Sequence, residues 1–250
     1  MVEIHVASQL IKRDFNENNT LFCDSSCPDE INHDDPKEDI SMLFQQRWGS
    51  VFPLGGLAGL PFTGKTGWGA FSSHVPKEGN IIVLFAPHVG IDSSGTVGKV
   101  LRDGQDHSSS ACGAAIGALA AAKAEIKETE FKNGPHDFQM DCIKHLLEPH
   151  AEGIMNSGNE QVALAYKMYE ILEHFLESIL HLNWMKGKGK LSILGGIMIN
   201  CDGVGTDRFL PLKFELRSLE ETVDLFEETF GKRPANPYLN RSNSTLSDLR

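Results

Sequence analysis

The run Asn80 to Pro87, NIIVLFAP, is apolar almost throughout and shows no alternation, so a strand made from it has to be buried on both faces. It stops at His88. A second run, Leu191 to Asn200, contains Gly195 and Gly196 and ends at Cys201-Asp202-Gly203, while a third, Arg208 to Leu216, alternates and is placed nearer an edge. Between them lie helical patterns: an Ala-rich stretch from Ala111 to Lys127, an amphipathic one from Asp137 to Leu147, and a long one from Glu160 to Leu182 with Val162, Tyr166, Tyr169, Leu172 and Leu176 at three and four spacing. A last helix is expected over Ser218 to Phe230, where Ser218 and Glu221 make a capping box. Strands alternating with helices predict an α/β fold, a mainly parallel sheet flanked by helices.

A chain of 250 residues, 40% hydrophobic, fits one sizeable core, and a single α/β domain is expected over residues 1–231. From Lys232 to Arg250 the tail is polar, contains Pro and Asn, and lacks periodicity, so it is expected to be loosely ordered. The 23 Lys and Arg against 34 Asp and Glu leave a net charge of −11, which argues against nucleic acid and anionic membrane surfaces as partners. The longest apolar runs are too short to span a bilayer. Five scattered cysteines are not a disulfide scaffold and suit a reducing compartment. The first residues carry Glu3, Asp14 and Glu17 and no signal-like apolar core, so a cytoplasmic location is expected, or a chloroplast one if a transit peptide has been removed. There is no internal repeat.

Gly59 to Thr66 satisfies the P-loop expression G-x-x-x-x-G-K-[ST]. A working P-loop needs a buried strand before it and a helix after it, because the phosphates rest on N–H groups at a helix N-terminus. Gln46 to Pro53 make a poor strand, and Gly67, Gly69 and Pro76 argue against a following helix. Nucleotide binding is therefore the lesser reading, and the stretch is expected to be a tight connection packing Phe52, Phe62, Trp68 and Phe71.

A metal constellation is the stronger signal. A short strand candidate, Thr20 to Cys23, leads to Cys27, and the buried run delivers His88 at its carboxyl end, so both reach one rim of a parallel sheet. Cys112 opens the Ala-rich helix, where the dipole and the free N–H groups favour a thiolate. Two thiolates and an imidazole suit zinc and leave a fourth position for water. Cys201 is the best alternative ligand, and Cys23 competes with Cys27. Cys142 reads as a buried helix cysteine, His174 and His181 as facing solvent or a partner subunit, and Lys186, Lys188 and Lys190 as a solvated basic loop.

The segments CPDE at Cys27 to Glu30, RWGSVFPLGGLAGLPFTGKTGWGAF at Arg47 to Phe71, APHVGI at Ala86 to Ile91 and GQDHSSSACGA at Gly104 to Ala114 resemble the limiting-CO2-inducible B/C-type protein family, a divergent branch of the β-carbonic anhydrases also called theta-type. The resemblance implies a β-carbonic-anhydrase-like fold, a homodimer, a zinc on Cys27, His88 and Cys112, and Asp29 beside the fourth position. It also makes the P-loop pattern a family feature unrelated to ATP. One departure stands out: ordinary β-carbonic anhydrases follow the Asp with an Arg two residues on, and here that residue is Ile31. The partner of Asp29 is then expected from Arg47, Arg102 or His33.

The implied activity is the reversible hydration of CO2 to bicarbonate by a zinc-bound hydroxide, with Asp29 orienting it and apolar neighbours of His88, such as Phe85 and Val89, lining a CO2 pocket. The alternative is a zinc protein that keeps this fold for a regulatory or assembly role in a CO2-concentrating system, without catalysis.

Overall fold

The structure, a computed structural model, describes residues 2–124, 136–180, 187–202 and 207–233. The apolar runs become strands β3 (Asn80–Ala86) and β7 (Leu191–Cys201), at the middle of a sheet in which β1 (Thr20–Ser26), β2 (Val51–Pro53), β8 (Arg208–Arg217) and β9 (Thr222–Asp224) complete the order β2-β1-β3-β7-β8-β9. Strands β2, β1, β3 and β7 run parallel, and β8 and β9 are antiparallel additions. Pro87 interrupts β3, and the chain continues as β4 (His88–Ile91) along the same neighbour, β7. Two further short strands, β5 (Lys99–Val100) and β6 (Ser109–Ser110), pair with each other.

Every residue of β3 is buried because it separates two cores. Ile81, Val83 and Phe85 face one, packed under helices α3 (Gly64–His74), α4 (Gly113–Lys123), α5 (Phe138–Leu147), α6 (Ala151–Met155) and α7 (Glu160–Ile179). Ile82, Leu84 and Ala86 face the other, under α1 (Val2–Ile11), α2 (Ile40–Trp48) and α8 (Phe226–Phe230). A two-sided core of this kind is what an unalternating run requires. Gly195 leaves room for the ring of Phe85, to which an added Cβ would come within 2.2 Å, and Phe85 in turn stacks on Tyr169 at 5.5 Å. The ladder between β7 and β8 slips between Gly195 and Gly196, opposite Pro211, a residue that suits an irregular point because it cannot donate to a ladder.

Two expectations of secondary structure are corrected. Ser218 and Glu221 close a turn, with Ser218 Oγ accepting from the N–H groups of Glu220 and Glu221, and β-branched Thr222 and Val223 add β9 to the sheet. Helix forms only from Phe226, where Leu225 and Phe226 are drawn into the second core. A helix also does follow the P-loop-like stretch: α3 turns Trp68 and Phe71 inward, tolerates Gly67 and Gly69, and is over before Pro76. The Ala-rich helix is described to Lys123 and the long one to Ile179; His181, Lys186, Gly203 and the tail from residue 234 lie outside the described residues. Lys188 and Lys190, expected to be solvated, instead reach the carbonyls of Val75 and Arg13.

The Gly-rich segment packs across the carboxyl ends of β1 and β3. Gly59 sits at φ +82° with Ser25 Oγ donating to its carbonyl at 2.8 Å, and a Cβ there would lie 2.9 Å from the carbonyl oxygen of Ala86. Its N–H groups are used within the chain: Gly56 donates to Leu60, Gly59 to Gly56 and Gly64 to Pro61. None of these is free to cradle a phosphate, and Lys65 points to solvent. Phe52 and Trp68 both pack on Phe71, and Phe62 on Phe138, so the connection is a packing device. No helix among the described residues is long and apolar enough to cross a membrane.

Gly59→Ala should lower stability by roughly 2–4 kcal/mol, combining a left-handed backbone with overpacking against Ala86. Gly64→Ala is the control, since Gly64 has φ +59° but nothing within 4 Å of an added Cβ, and should cost only about 1–2 kcal/mol. Urea unfolding of the two variants checks the difference.

Candidate metal centre

Parallel pairing of β1 with β3 sets Ser26 beside Ala86, so Cys27 and His88 leave adjacent strands at the same rim. The third residue is brought there by backbone. Gly90 of β4 donates to the carbonyl of Ala111 at 3.1 Å, and Ala111 donates to that of Gly98, which docks the start of α4 against β4 and places Cys112 at its N-cap. Gly90 has to lack a side chain, because a Cβ would lie 2.6 Å from the carbonyl oxygen of Lys99.

The result is a compact group in which Cys27 Sγ, a ring nitrogen of His88 and Cys112 Sγ all lie within 4.8 Å of one another, each residue at most 5% exposed. The two sulfurs are 3.8 Å apart. Two Zn–S bonds of about 2.3 Å at a tetrahedral angle would hold sulfurs about 3.8 Å apart, so the spacing fits zinc. His88 Nε2 is buried without a hydrogen-bond partner, as a nitrogen awaiting a metal would be. Cys23 and Cys201, the rival ligands, are not part of this group.

The electrostatics of the unmetallated group are those of a shared proton. The Cys112 thiol beside it holds Cys27 far below the usual thiol range, at about 4, against the effect of burial and with help from His88. Cys112 is pushed well up by that neighbouring thiolate and by burial. Burial favours a neutral His88, but the neighbouring Cys27, with Asp29 and Asn200, outweighs it and raises the ring's pKa. A divalent cation placed there would hold both sulfurs as thiolates and the imidazole neutral.

Asp29 stands at the edge of the group, its Oδ2 3.7 Å from His88 Nε2. Of the three partners considered for it, the structure supplies Arg102, which donates to Asp29 Oδ2 at 2.8 Å and is itself held by Glu30 and the carbonyl of Ser110. Arg47 is instead engaged with Glu3 of α1, on the other core's side of the sheet, and His33 is exposed on the turn that follows. Arg102 follows β5, whose antiparallel pairing with β6 returns the chain from β4 toward Cys112, so it reaches the site from far along the sequence.

Asn200, at the end of β7, is a residue that sequence reasoning missed. Its Oδ1 is 3.0 Å from His88 Nδ1, while its Nδ2 donates to the carbonyl of Ile31 at 3.0 Å and to Asp207 at 3.3 Å. The available signal was an amide closing an apolar strand at the rim where His88 emerges. Beside Asn200 and Arg102 opens a cavity of about 240 Å³ rich in carboxylates, among them Asp34, Glu38, Asp103 and Asp207. Burial raises the pKa values of Asp34 and Asp207 there. A second pocket, of about 10 Å³, is apolar and lined by His88, Cys112, Val89, Ala115, Leu164 and Met168 among others. Val89 thus borders the site as expected, whereas Phe85 is in the core against Tyr169.

Comparison with solved structures finds PtLCIB4, a homolog of the limiting CO2-inducible protein LCIB, at 28% identity over 89% of this chain and 92% of that chain, with a TM-score of 0.81. The limiting CO2-inducible protein LCIB itself is 19% identical, with 88% of this chain and 89% of that chain covered and a TM-score of 0.59, a likeness of fold. Comparison with curated protein sequences gives no match. Residues 2–218 match the family described as limiting CO2-inducible proteins B/C beta carbonic anhydrases. With that match covering every strand of the sheet but β9 and all three residues of the candidate metal centre, the chain belongs to the limiting CO2-inducible protein B/C family of β-carbonic anhydrases.

Proposed function

We propose that this protein is a zinc-dependent carbonic anhydrase, interconverting CO2 and bicarbonate, with Cys27, His88 and Cys112 as the zinc ligands. The observation that carries the reading is the buried group itself: two sulfurs at 3.8 Å and a histidine nitrogen without a partner. Bound there, zinc supplies a Lewis acid that makes a hydroxide nucleophile available near neutral pH.

The chain's own residues divide the remaining work. Asp29 lies close enough to the ligand set to accept a hydrogen bond from the attacking water and orient it, and Arg102 fixes that carboxylate through its 2.8 Å contact. Val89, Ala115, Leu164 and Met168 form an apolar wall beside His88 and Cys112, along which an apolar gas would approach. Carboxylates crowd the other approach, past Arg102 and Asn200, where their field disfavours a lingering anionic product.

One zinc per chain is expected by metal analysis, with most of it lost in Cys27→Ser, His88→Ala and Cys112→Ser. Full retention in Cys112→Ser, or loss in Cys201→Ser instead, would reject the ligand assignment. Stopped-flow measurement should find CO2 hydration in the zinc-loaded protein. Asp29→Ala should lower the rate about 10²-fold or more while leaving zinc content near the wild-type level. A zinc-loaded protein inactive from mildly acidic to alkaline pH would favour the regulatory or assembly role. We also propose a homodimer as the working unit; α1 turns Ile4 and Ile11 outward, 60% and 54% exposed. Sedimentation should give the mass of two chains, and a monomer at micromolar concentration would count against it.

A further inference from the structure

Asn200 closes β7 at the rim, 3% exposed, and both ends of its amide are engaged. The Nδ2 group faces two acceptors, the carbonyl of Ile31 at 3.0 Å and Asp207 Oδ2 at 3.3 Å. Turning the amide over would set its oxygen against both, so Oδ1 is the atom presented to His88. An acceptor 3.0 Å from Nδ1 requires the proton on Nδ1 and leaves Nε2 as the nitrogen with a free lone pair. Nε2 is the atom that is buried without a partner and lies 3.7 Å from Asp29.

The anchor behind the amide is also fixed. Asp207 Oδ1 accepts from the backbone N–H of Cys201 at 2.7 Å, and the Asp207 N–H donates to Glu38 at 3.1 Å. The Ile31 carbonyl, for its part, belongs to the short helical turn Glu30–Asn32 that directly follows Asp29. One buried amide therefore joins the imidazole of β4 to the segment carrying the carboxylate.

We propose that Asn200 is the positioning residue of the metal centre: it holds His88 with Nδ1 protonated and Nε2 turned to the metal, and it sets that ring against the Asp29 segment. This rests on the zinc reading above. Asp207 serves as the support that keeps the amide from turning over. A polar residue placed there for packing alone would have no need of a defined amide orientation.

The test uses the full chain loaded with zinc, with affinity read by competition against a chromophoric chelator and the His88 ring read by long-range proton–nitrogen NMR. In wild type the ring proton should be on Nδ1 and protected from exchange; a proton on Nε2, or an unprotected Nδ1, would overturn the proposal without any variant. Asn200→Ala should weaken zinc binding by about 10- to 100-fold and expose the Nδ1 proton to exchange. The double variant Asn200→Asp/Asp207→Asn keeps an acceptor toward His88 and a donor–acceptor pair between positions 200 and 207, while a carboxylate oxygen replaces the donor to the Ile31 carbonyl; it should restore protection of the Nδ1 proton. Wild-type affinity with a still-protected Nδ1 proton in Asn200→Ala would refute the positioning role. Weakened binding in both variants with the Nδ1 proton still protected would mean that Asn200 acts only on the fold. Failure of the wild type to bind zinc would be a failure of the underlying reading, and would take this one with it.

Discussion

Two cysteine sulfurs and an imidazole, buried within 4.8 Å of one another, form a donor set that a divalent cation would complete. Within the group the Cys112 thiol holds Cys27 low, and Cys27 with burial pushes Cys112 up, so the two sulfurs respond to charge in opposite directions. Desolvating such a group is costly, and the sheet is arranged to make that cost useful. Parallel strands β1 and β3 end level with each other, so two of the three residues arrive at one rim without loops having to carry them there. The third comes on a helix start pinned to β4 by backbone hydrogen bonds.

Close approach of backbone to backbone is what makes that rim rigid. Gly59 lies over the ends of β1 and β3, and Gly90 lets the segment from Lys99 to Ala111 lie against β4. A methyl group at either position would meet a carbonyl oxygen below 3.0 Å, so the glycines mark contact surfaces. The stretch that imitates a P-loop does so because tight packing and phosphate binding call for the same small residues. They differ in where the N–H groups go, and here the loop's own carbonyls take them.

The parts of this fold legible in the sequence were those dictated by local burial or by a motif. β3 and β7 declared themselves because strands walled in on both faces carry few polar positions to confuse the reading, while His88 stood just past β3, Cys27 just past β1 and Cys112 at a helix start. The errors came where local propensity met a tertiary demand. Ser218 and Glu221 have the spacing of a helix cap, yet the open edge of β8 recruited the residues after them as β9. Gly67 and Gly69 weaken a helix, but burying Trp68 and Phe71 on one face was enough to form α3. The role of Asn200 was not legible, since its meaning depends on His88 and Ile31 being brought to it from elsewhere in the chain.

Arg102 shows most directly how an aspartate–arginine pair is kept while the local sequence pattern for it is lost. The motif of ordinary β-carbonic anhydrases places the guanidinium two residues after the aspartate, where it can move only with the aspartate's own turn. Here Ile31 takes that position and is buried. The charge is delivered instead by the segment after β5, in the same excursion that returns the chain to Cys112. Asp29 is therefore fixed by a tertiary contact, and its geometry depends on the same excursion that sets Cys112. A guanidinium that also contacts Glu30 and the carbonyl of Ser110 joins the aspartate's turn to the strand before that cysteine. The carboxylate and Cys112 are then positioned by one shared piece of backbone, so a disturbance of that segment displaces both together and not one against the other.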